Sequence, residues 1–294
     1  MNLQPRIQTV SALQTFHSRV IAVASGKGGV GKTNLTINLG LALARRKLRV
    51  AILDADLGTA NVDVVLGLRP RYHLQHVITG QKTLSEIIVE GPFGLQIIPG
   101  ASGLPDLADL AEAQREVLLR ALLVLDGQVD VLLIDTSAGV GANVIQFILA
   151  AGELLLVTTP EPTAITDAYA LVKILASYQA PVSIKLVVNS VQQRGEGEAT
   201  GYKLVTVAEQ FLSRRIEVAG MLPYDRSVTA AVSSQSPLLQ SHPRSPAALA
   251  INKLAERLWN SPELPEANTS LGKFFRTLLS FNPLSTFAWS EELE

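Results

Sequence analysis

Residues 26–33 constrain the fold of this chain most, because they read Gly-Lys-Gly-Gly-Val-Gly-Lys-Thr and match the pattern G-x-x-x-x-G-K-[ST]. An apolar β-type run, residues 20–24, precedes them, and residues 35–47, apolar at roughly helical spacing, follow. Glycines let successive N–H groups point at phosphate oxygens, and the N-terminus of the following helix adds about half a positive charge. The order strand, loop, helix therefore predicts a phosphate-binding loop instead of a merely glycine-rich turn.

The predicted loop supplies a set of nucleotide contacts. They are Gly26, Lys27, Gly28, Gly29, Val30, Gly31, Lys32, Thr33 and Asn34. Lys32 would reach the β and γ phosphates, and the hydroxyl of Thr33 would ligate Mg²⁺. Lys27 is a second lysine inside the loop, where this kind of motif requires no charge. It is either functional or a solvated loop residue.

The chain has 294 residues, 47% of them hydrophobic and 17% charged, which is enough for one large α/β domain or two smaller ones. Strand and helix patterns alternate without a linker, so we predict a single α/β domain with a mostly parallel, twisted sheet and helices on both faces. A net charge of −1 gives no overall attraction to nucleic acid or anionic lipid. The absence of cysteine excludes disulfides and thiolate metal sites. With no 18-residue apolar run and no signal pattern, we expect a cytoplasmic protein.

Carboxylates follow two of the predicted strands. Asp54 and Asp56 come after the buried run at residues 49–53, and Asp135 ends the apolar run that begins at residue 130. Ligands of open α/β sheets bind beside the C-terminal ends of the strands. Asp54 and Asp135 would therefore hold the Mg²⁺ shell, and Asp56 would orient the attacking water. The alternative for Asp54 and Asp56 is capping of the next helix. Gly139 would let its N–H approach the γ-phosphate.

The rest of the chain repeats the rhythm of strands and helices. We predict further strands at residues 95–98, 154–157, 182–188 and 216–222, and helices at residues 104–125, 164–178 and 247–259. Asn189 ends one of these strands and has an amide that suits the adenine edge, although a turn-forming asparagine is the alternative. Pro223 and Asp225 follow the last strand and would also line the base.

Several stretches beyond the loop carry a family resemblance. Residues 26–33, 54–58, 61–63, 67–72, 89–92, 99–103, 165–171 and 243–248 together resemble the FlhG/FleN branch of the MinD/ParA ATPases, over roughly residues 19–260. The form K-G-G-x-G-K-[ST] is similar to their deviant Walker A motif, in which the early lysine crosses a dimer interface. The resemblance implies slow ATP hydrolysis with Mg²⁺, an ATP-dependent homodimer with Lys27 in the partner's site, and control of flagellar number or position. It also implies an FlhF-type GTPase and a flagellar transcription regulator as partners.

Two other functions stay open. One is a ParA/MinD-type ATPase in DNA partition or division-site placement; only the basic clusters at residues 45–47 and 214–215 favour DNA contacts, so we do not expect DNA as a partner. The other is a non-hydrolysing adaptor for a transcription regulator. Residues 7–14 lack the acidic and arginine positions of the segment with which FlhG-type proteins stimulate an FlhF-type GTPase.

The ends of the chain complete the predicted organisation. It comprises an N-terminal segment that could form a partner helix (1–18), the ATPase domain (19–260), a linker (261–270), an amphipathic membrane-targeting helix (271–282) and an acidic tail (283–294). The apolar arc of the amphipathic helix consists of Leu271, Phe274, Phe275, Leu278, Leu279 and Phe281. It predicts reversible attachment to the inner face of the cell membrane, with the two tails of an ATP dimer acting together. Packing of this arc onto the parent domain is the alternative.

Overall fold

The computed structural model describes residues 18–56, 62–100, 110–260 and 271–280. Its strands are β1 (Arg19–Ser25), β2 (Val50–Ala55), β3 (Val89–Glu90), β4 (Gln96–Ile98), β5 (Val131–Ala138), β6 (Glu153–Thr158), β7 (Ser183–Val191) and β8 (Ile216–Pro223). They form one sheet in the order β3-β4-β2-β5-β1-β6-β7-β8. Neighbouring strands are parallel except β3 and β4. The predicted α/β domain with a mostly parallel sheet is confirmed.

Helices cover both faces of the sheet, as a parallel sheet requires. They are α1 (Lys32–Ala44), α2 (Val62–Leu66), α3 (Leu74–Ile78), α4 (Leu84–Ile87), α5 (Glu112–Leu123), α6 (Ala142–Ala151), α7 (Pro162–Ser177), α8 (Glu196–Leu212), α9 (Arg226–Ser233), α10 (Leu238–Ser241), α11 (Pro246–Asn260) and α12 (Leu271–Ser280). Apart from Ala164 of α7, the buried apolar side chains of α3 to α8 and α12 join one core. Those of α1, α2 and α9 to α11 join the core on the other face.

The central strand β1 shows why the sheet has two cores. Val20, Ala22 and Ala24 belong to one core, and Ile21 and Val23 belong to the other. Successive side chains of a strand point to opposite faces, so a strand covered on both sides needs a continuous apolar run. The strand ends where the glycine-rich loop begins, which puts that loop at the carboxyl edge of the sheet.

Two helices begin more than two residues from their predicted start. α1 begins at Lys32 instead of residue 35, because Gly31 has a left-handed φ of 88° that lets the loop turn directly into the helix. α5 begins at Glu112 instead of residue 104; Leu110 and Ala111 are not helical, and residues 104–109 lie outside the described ranges. No predicted element corresponds to the helices α2, α3, α4, α6, α8, α9 and α10 or to the short antiparallel strand β3.

The amphipathic helix α12 packs on the ATPase domain. The buried members of its apolar arc, each at most 3% exposed, are Leu271, Phe274, Phe275 and Leu278. Lys273 and Arg276 are exposed on the opposite side. The helix lies against α5 and α6 and also contacts β1. Gly272 permits this approach, since a Cβ there would lie 3.3 Å from Leu123. The parent domain therefore covers these four members of the arc in this conformation, which is the alternative arrangement and not the predicted membrane-facing one.

Several predicted segments lie outside the described residues. They are residues 1–17, the linker 261–270, residues 281–282 of the amphipathic helix and the acidic tail 283–294. Within the part of the chain that the structure describes, none of the helices combines the length and the apolar character needed to cross a bilayer.

Candidate nucleotide-binding site

The loop between β1 and α1 has the backbone shape of an anion cradle. Gly29 and Gly31 have φ angles of 80° and 88°, in the left-handed region that favours glycine. Gly26 lies so close to α7 that a Cβ there would overlap the backbone of Asp167. The first turn of α1 contains no acidic residue, and its N-cap makes no side-chain hydrogen bond. The first N–H groups of α1 are therefore not capped by a side chain and can bind an anion.

Lys32 points from the start of α1 toward β5. Its Nζ donates to Asp135 Oδ1 at 2.9 Å, and Thr36 Oγ1 donates to the same oxygen at 3.1 Å. Lys32 is 8% exposed and Asp135 is 1% exposed. Asp135 Oδ2 is buried and has no hydrogen-bond partner among the described residues. A buried carboxylate oxygen is costly to leave unpaired, and it is the kind of ligand that Mg²⁺ prefers.

Asp54 lies beside Asp135, because the register of β2 and β5 pairs these two residues. Asp54 is buried, and its Oδ1 and Oδ2 accept from the backbone N–H groups of Asp56 and Val62, both at 3.2 Å. Val62 begins α2, so Asp54 also satisfies the start of that helix, as the capping alternative proposed. Two buried carboxylates on adjacent strands concentrate negative charge that a divalent cation would neutralise.

Thr33 and Asp56 are the other two residues predicted to act at this site. Thr33 follows Lys32 in the first turn of α1 and is half-buried. Asp56 directly follows β2 and is also half-buried. Residues 57–61, which come next, lie outside the described ranges. The residue types present thus fit a Mg²⁺ site with the hydroxyl of Thr33 and the carboxylates of Asp54 and Asp135 as its protein ligands.

Lys27 is held on the rim of the loop, away from Asp135. Its Nζ donates to Glu161 Oε2 and to Thr163 Oγ1, each at 2.8 Å. The side chains of Lys27 and Glu161 are 38% and 64% exposed. Lys27 is therefore a partly exposed loop lysine with two side-chain partners on the same subunit. Sequence reasoning missed Glu161 and Thr163 as its partners, although both follow a strand that ends at the same edge of the sheet.

Gly139 does not have the predicted free N–H. Its N–H donates to the carbonyl oxygen of Ser25 at 2.8 Å, because β5 continues to Ala138 beside the end of β1. The prediction that this N–H approaches the γ-phosphate is wrong for this conformation. The φ of 98° at Gly139 still explains why glycine occurs there.

Asn189 and Asp225 also have partners other than the predicted adenine. Asn189 Nδ2 donates to the carbonyl oxygen of Val30 at 2.7 Å, so one of its two N–H groups serves the loop. Asp225 Oδ1 accepts from the N–H of Ser227 at 2.8 Å, and Oδ2 accepts from the N–H of Ala247 at 3.1 Å. Burial raises the pKa of Asp225, but these hydrogen bonds outweigh it and hold the pKa below its usual value.

Asp225 is therefore the N-cap of α9 and links it to the first turn of α11. Pro223, the last residue of β8, is half-buried at the carboxyl edge of the sheet. The carboxylate of Asp225 is used within the domain, so only the backbone of residues 223–225 would be available to a base.

Asn34 lies one turn before Asn38 on α1. Asn38 Nδ2 donates to the backbone oxygen of Asn34 at 2.8 Å and to its Oδ1 at 3.0 Å. Asn38 Oδ1 in turn accepts from the N–H of Leu239 at 2.9 Å, which ties α1 to α10. Asn34 Nδ2 is buried without a hydrogen-bond partner among the described residues. Asn34 therefore retains a donor close to the loop.

The assembled groups suit phosphoryl transfer. Helix N–H groups and Lys32 attract phosphate oxygens, and the adjacent carboxylates fit a divalent cation. In the described ranges, no cluster of three or more His, Cys, Asp or Glu side chains could hold a metal by itself. Mg²⁺ at this edge would therefore share its coordination with phosphate oxygens and water, as it does in phosphoryl-transfer sites.

Comparisons with known proteins agree with this geometry. Residues 21–238 match the model of the CobQ/CobB/MinD/ParA nucleotide binding domain. The antiactivator FleN of Pseudomonas aeruginosa is 43% identical over 252 residues, which are 85% of this chain and 90% of FleN. The flagellum site-determining protein YlxH of Helicobacter pylori is 34% identical over 276 residues, or 90% of this chain and 91% of YlxH.

A solved structure with a bound nucleotide has the same fold. The septum site-determining protein MinD of Pyrococcus horikoshii OT3, complexed with Mg-ADP, has a TM-score of 0.66 and 27% identity, over 82% of this chain and 96% of that chain. This likeness and the family match support binding of a nucleotide and Mg²⁺ in general. The chain belongs to the CobQ/CobB/MinD/ParA nucleotide-binding family and is a MinD-like ATPase of the branch that contains FleN and YlxH.

Proposed function

We propose that ATP-dependent self-association and reversible membrane attachment are the means by which this MinD-like ATPase regulates flagellar number or placement. The names of its relatives, an antiactivator and a flagellum site-determining protein, support the flagellar role. The observation that carries the proposal is the position of Lys27, a cation on the exposed rim of the loop that contacts Glu161 and Thr163.

Lys27 is held weakly enough to change partners. An ion pair between exposed side chains contributes about 0–1 kcal/mol, and both Lys27 and Glu161 are more than a third exposed. The phosphates of a nucleotide in a second subunit carry more charge than one carboxylate. When two loops face each other, Lys27 of each subunit exchanges Glu161 and Thr163 for the partner's phosphates. Dimerisation thereby completes each site.

Within one subunit, Lys32 exchanges Asp135 for the β and γ phosphates of ATP. Thr33, Asp54 and Asp135 would hold Mg²⁺, which when bound neutralises charge on the transferring phosphoryl group. Asp56 orients the attacking water. This chemistry is electrostatic and positional, because phosphoryl transfer needs little covalent help from the protein.

The remaining nucleotide contacts come from the loop and from the end of β8. Residues 26–34 surround the phosphates with backbone N–H groups. Pro223 and the backbone at Asp225 line the base. Gly139, whose N–H is already paired with Ser25, contributes a close backbone approach and no hydrogen bond of its own.

Membrane attachment requires α12 to leave the groove between α5 and α6. Four fully buried apolar side chains stabilise the docked helix by about 1.5–3 kcal/mol each. The same face would be buried again at a membrane surface, so the two states differ by much less than this sum. Smaller contributions then decide whether α12 is docked or membrane-bound. Each cation near anionic lipid contributes about 1 kcal/mol, and a dimer that presents two helices adds avidity. A nucleotide-dependent dimer therefore binds the inner face of the cell membrane reversibly.

The partners we propose are an FlhF-type GTPase and a flagellar transcription regulator; the name antiactivator supports the second. DNA is not among them. In the basic clusters, Arg45 lies over the ring of Phe93, Arg46 pairs with Glu256 and Arg214 donates to the carbonyl of Ala180. These side chains serve the fold of the subunit, which favours the flagellar function over a DNA-partition function.

Vesicle sedimentation tests this proposal. We expect the full chain to pellet with phosphatidylglycerol vesicles in Mg-ATP when hydrolysis is blocked, and to stay in the supernatant with Mg-ADP. The double change Lys273→Glu and Arg276→Glu leaves the buried arc intact and should weaken binding at least about tenfold, since anionic lipid repels it. The matched control is Lys203→Glu on the exposed side of α8. Equal pelleting in both nucleotides, or no effect of the double change, contradicts the proposal.

A further inference from the structure

Asn189 joins the end of β7 to the phosphate-binding loop. Its Nδ2 donates to the carbonyl oxygen of Val30 at 2.7 Å across 159 positions of the chain. A Cβ on the next residue, Gly31, would lie only 2.5 Å from the same nitrogen. The amide thus fills the space that any side chain at Gly31 would need. This contact links two elements that are distant in sequence at the point where the loop becomes α1.

A β-bulge in β7 directs the side chain of Asn189 toward the phosphate-binding loop. The pairing of β7 with β8 shifts register between Leu186 and Val187 and again after Val188, which pairs with Met221; it resumes at Val191 with Pro223. Two residues of β7, Asn189 and Ser190, therefore lie opposite a single residue of β8. Ser190 has a φ of 58°, a left-handed conformation that non-glycine residues rarely adopt. Bulges next to active sites commonly redirect a side chain, and this one turns Asn189 out of the strand pattern toward Val30.

The bond to Val30 fixes the direction of a neighbouring N–H group. The carbonyl of Val30 and the N–H of Gly31 belong to the same planar trans peptide, so they point in opposite directions. With the oxygen held by Asn189, the N–H of Gly31 points away from Asn189. If this peptide rotated, a carbonyl oxygen would face the phosphates instead of an N–H, and it would repel them.

We propose that Asn189 is a positioning residue of the phosphate-binding loop, which holds the peptide between Val30 and Gly31 in the orientation that binds phosphate. The inference rests on residues 26–33 being that loop. It differs from the role of adenine recognition, because it predicts an effect on ligands that have no base.

Binding of tripolyphosphate, which has no base, tests the inference by calorimetry with Mg²⁺. We expect Asn189→Ala to weaken tripolyphosphate and ATP by similar factors, about tenfold each. Asn189→Asp keeps the shape of the side chain but places a carboxylate against the Val30 carbonyl, so it should weaken both ligands further. The melting temperature without ligand serves as the check that each variant is folded. The matched control is Gln193→Ala, an exposed change just beyond β7, which should bind both ligands as the parent chain does.

The outcomes separate the two roles. A loss of ATP affinity with unchanged tripolyphosphate affinity would assign Asn189 to the base and overturn the proposal, and so would unchanged affinity for both ligands. If the parent chain bound neither ligand, the nucleotide-binding assignment itself would fail, which is a different result from a failure of Asn189 to position the loop.

Discussion

The two lysines of residues 26–33 differ in burial and in the side chains that they contact. Lys32 is buried against Asp135, in the same site as the first N–H groups of α1. Lys27 is exposed and held by Glu161 and Thr163, outside that site. In the proposed dimer, Lys32 would contribute to its own site and control nucleotide affinity, and Lys27 would contribute to the partner's site and control turnover.

This difference predicts opposite effects of two alanine substitutions. Lys27→Ala should bind Mg-ATP within a few-fold of the parent affinity but hydrolyse it about 10³-fold more slowly, as expected for loss of a cation supplied in trans. Lys32→Ala, the matched control, should lose nucleotide binding. Fluorescent nucleotide titration and single-turnover hydrolysis measure the two effects. Unchanged hydrolysis by Lys27→Ala would remove the role across the interface.

At the residue scale, the sequence predicts the positions of side chains that directly follow a strand, because the strand itself is visible as an apolar run. The pairing of Asp54 with Asp135 follows from two apolar runs that each end in aspartate at the same sheet edge. The roles of Gly139, Asn189 and Asp225 depend instead on which neighbouring backbone group they meet. Those partners belong to distant elements, and no local pattern identifies them.

At the scale of single elements, α6 contains an amide in an unusual position. Gln146 is 1% exposed, and neither Nε2 nor Oε1 has a hydrogen-bond partner among the described residues. Burying an unpaired amide costs about 1–3 kcal/mol on the scale of protein substitutions. The amide lies in a helix that packs against β1, β5, β6 and α12.

Replacement of this amide should therefore stabilise the fold. We expect Gln146→Leu to raise the free energy of unfolding by about 1–3 kcal/mol in urea titrations, because leucine has a similar volume and no unpaired polar atoms. The control is Gln75→Leu on the exposed side of α3, which should change stability by less than about 0.5 kcal/mol. Destabilisation by Gln146→Leu would mean that the amide makes a bond that stabilises the fold.

The helix α12 shows what an amphipathic pattern can and cannot predict. The pattern correctly predicts a helix with one apolar face, but a membrane and the groove between α5 and α6 offer that face the same chemistry. The choice depends on the shape of the groove, which forms from residues at least 120 positions earlier in the chain. Periodicity predicts the helix and not its partner.

At the scale of the whole molecule, a buried ionic cluster joins three strands to the last helix of the domain. Arg19 donates to Glu153 at 2.8 Å through Nε, and Lys185 Nζ donates to Glu153 at 2.9 Å. Arg19 also donates to the carbonyl of Leu258 near the end of α11. The partial negative charge of that helix end helps to balance the second cation. The amino ends of β1, β6 and β7 are tied together in this way.

The cluster predicts a pH dependence of stability. Burial raises the pKa of Glu153, but its hydrogen bonds and charge interactions with Arg19 and Lys185 outweigh burial and lower the pKa below its usual 4.5. A lowered folded-state pKa gives stability that is fully present above about pH 4.5 and is lost as pH falls through the folded-state value. Glu153→Gln should cost about 3 kcal/mol or more at pH 7, because it leaves buried cations unpaired.

Urea titrations between pH 7 and pH 3 measure this dependence. Stability of the parent chain should fall more steeply below pH 4.5 than that of Glu153→Gln, which has no proton to gain at this position. Glu209→Gln, an exposed change on α8, is the control and should keep the parent slope. Identical slopes for Glu153→Gln and the parent chain would exclude the cluster as the source of the acid sensitivity.

The central claim is that the nucleotide joins two copies of this chain through their phosphate-binding loops. Light scattering on the Asp56→Ala variant, in which hydrolysis should be blocked, tests it most directly. With saturating Mg-ATP the mass should double from the 31.5 kDa of one chain, and with Mg-ADP it should stay at that value. A mass of one chain under both conditions would contradict the account.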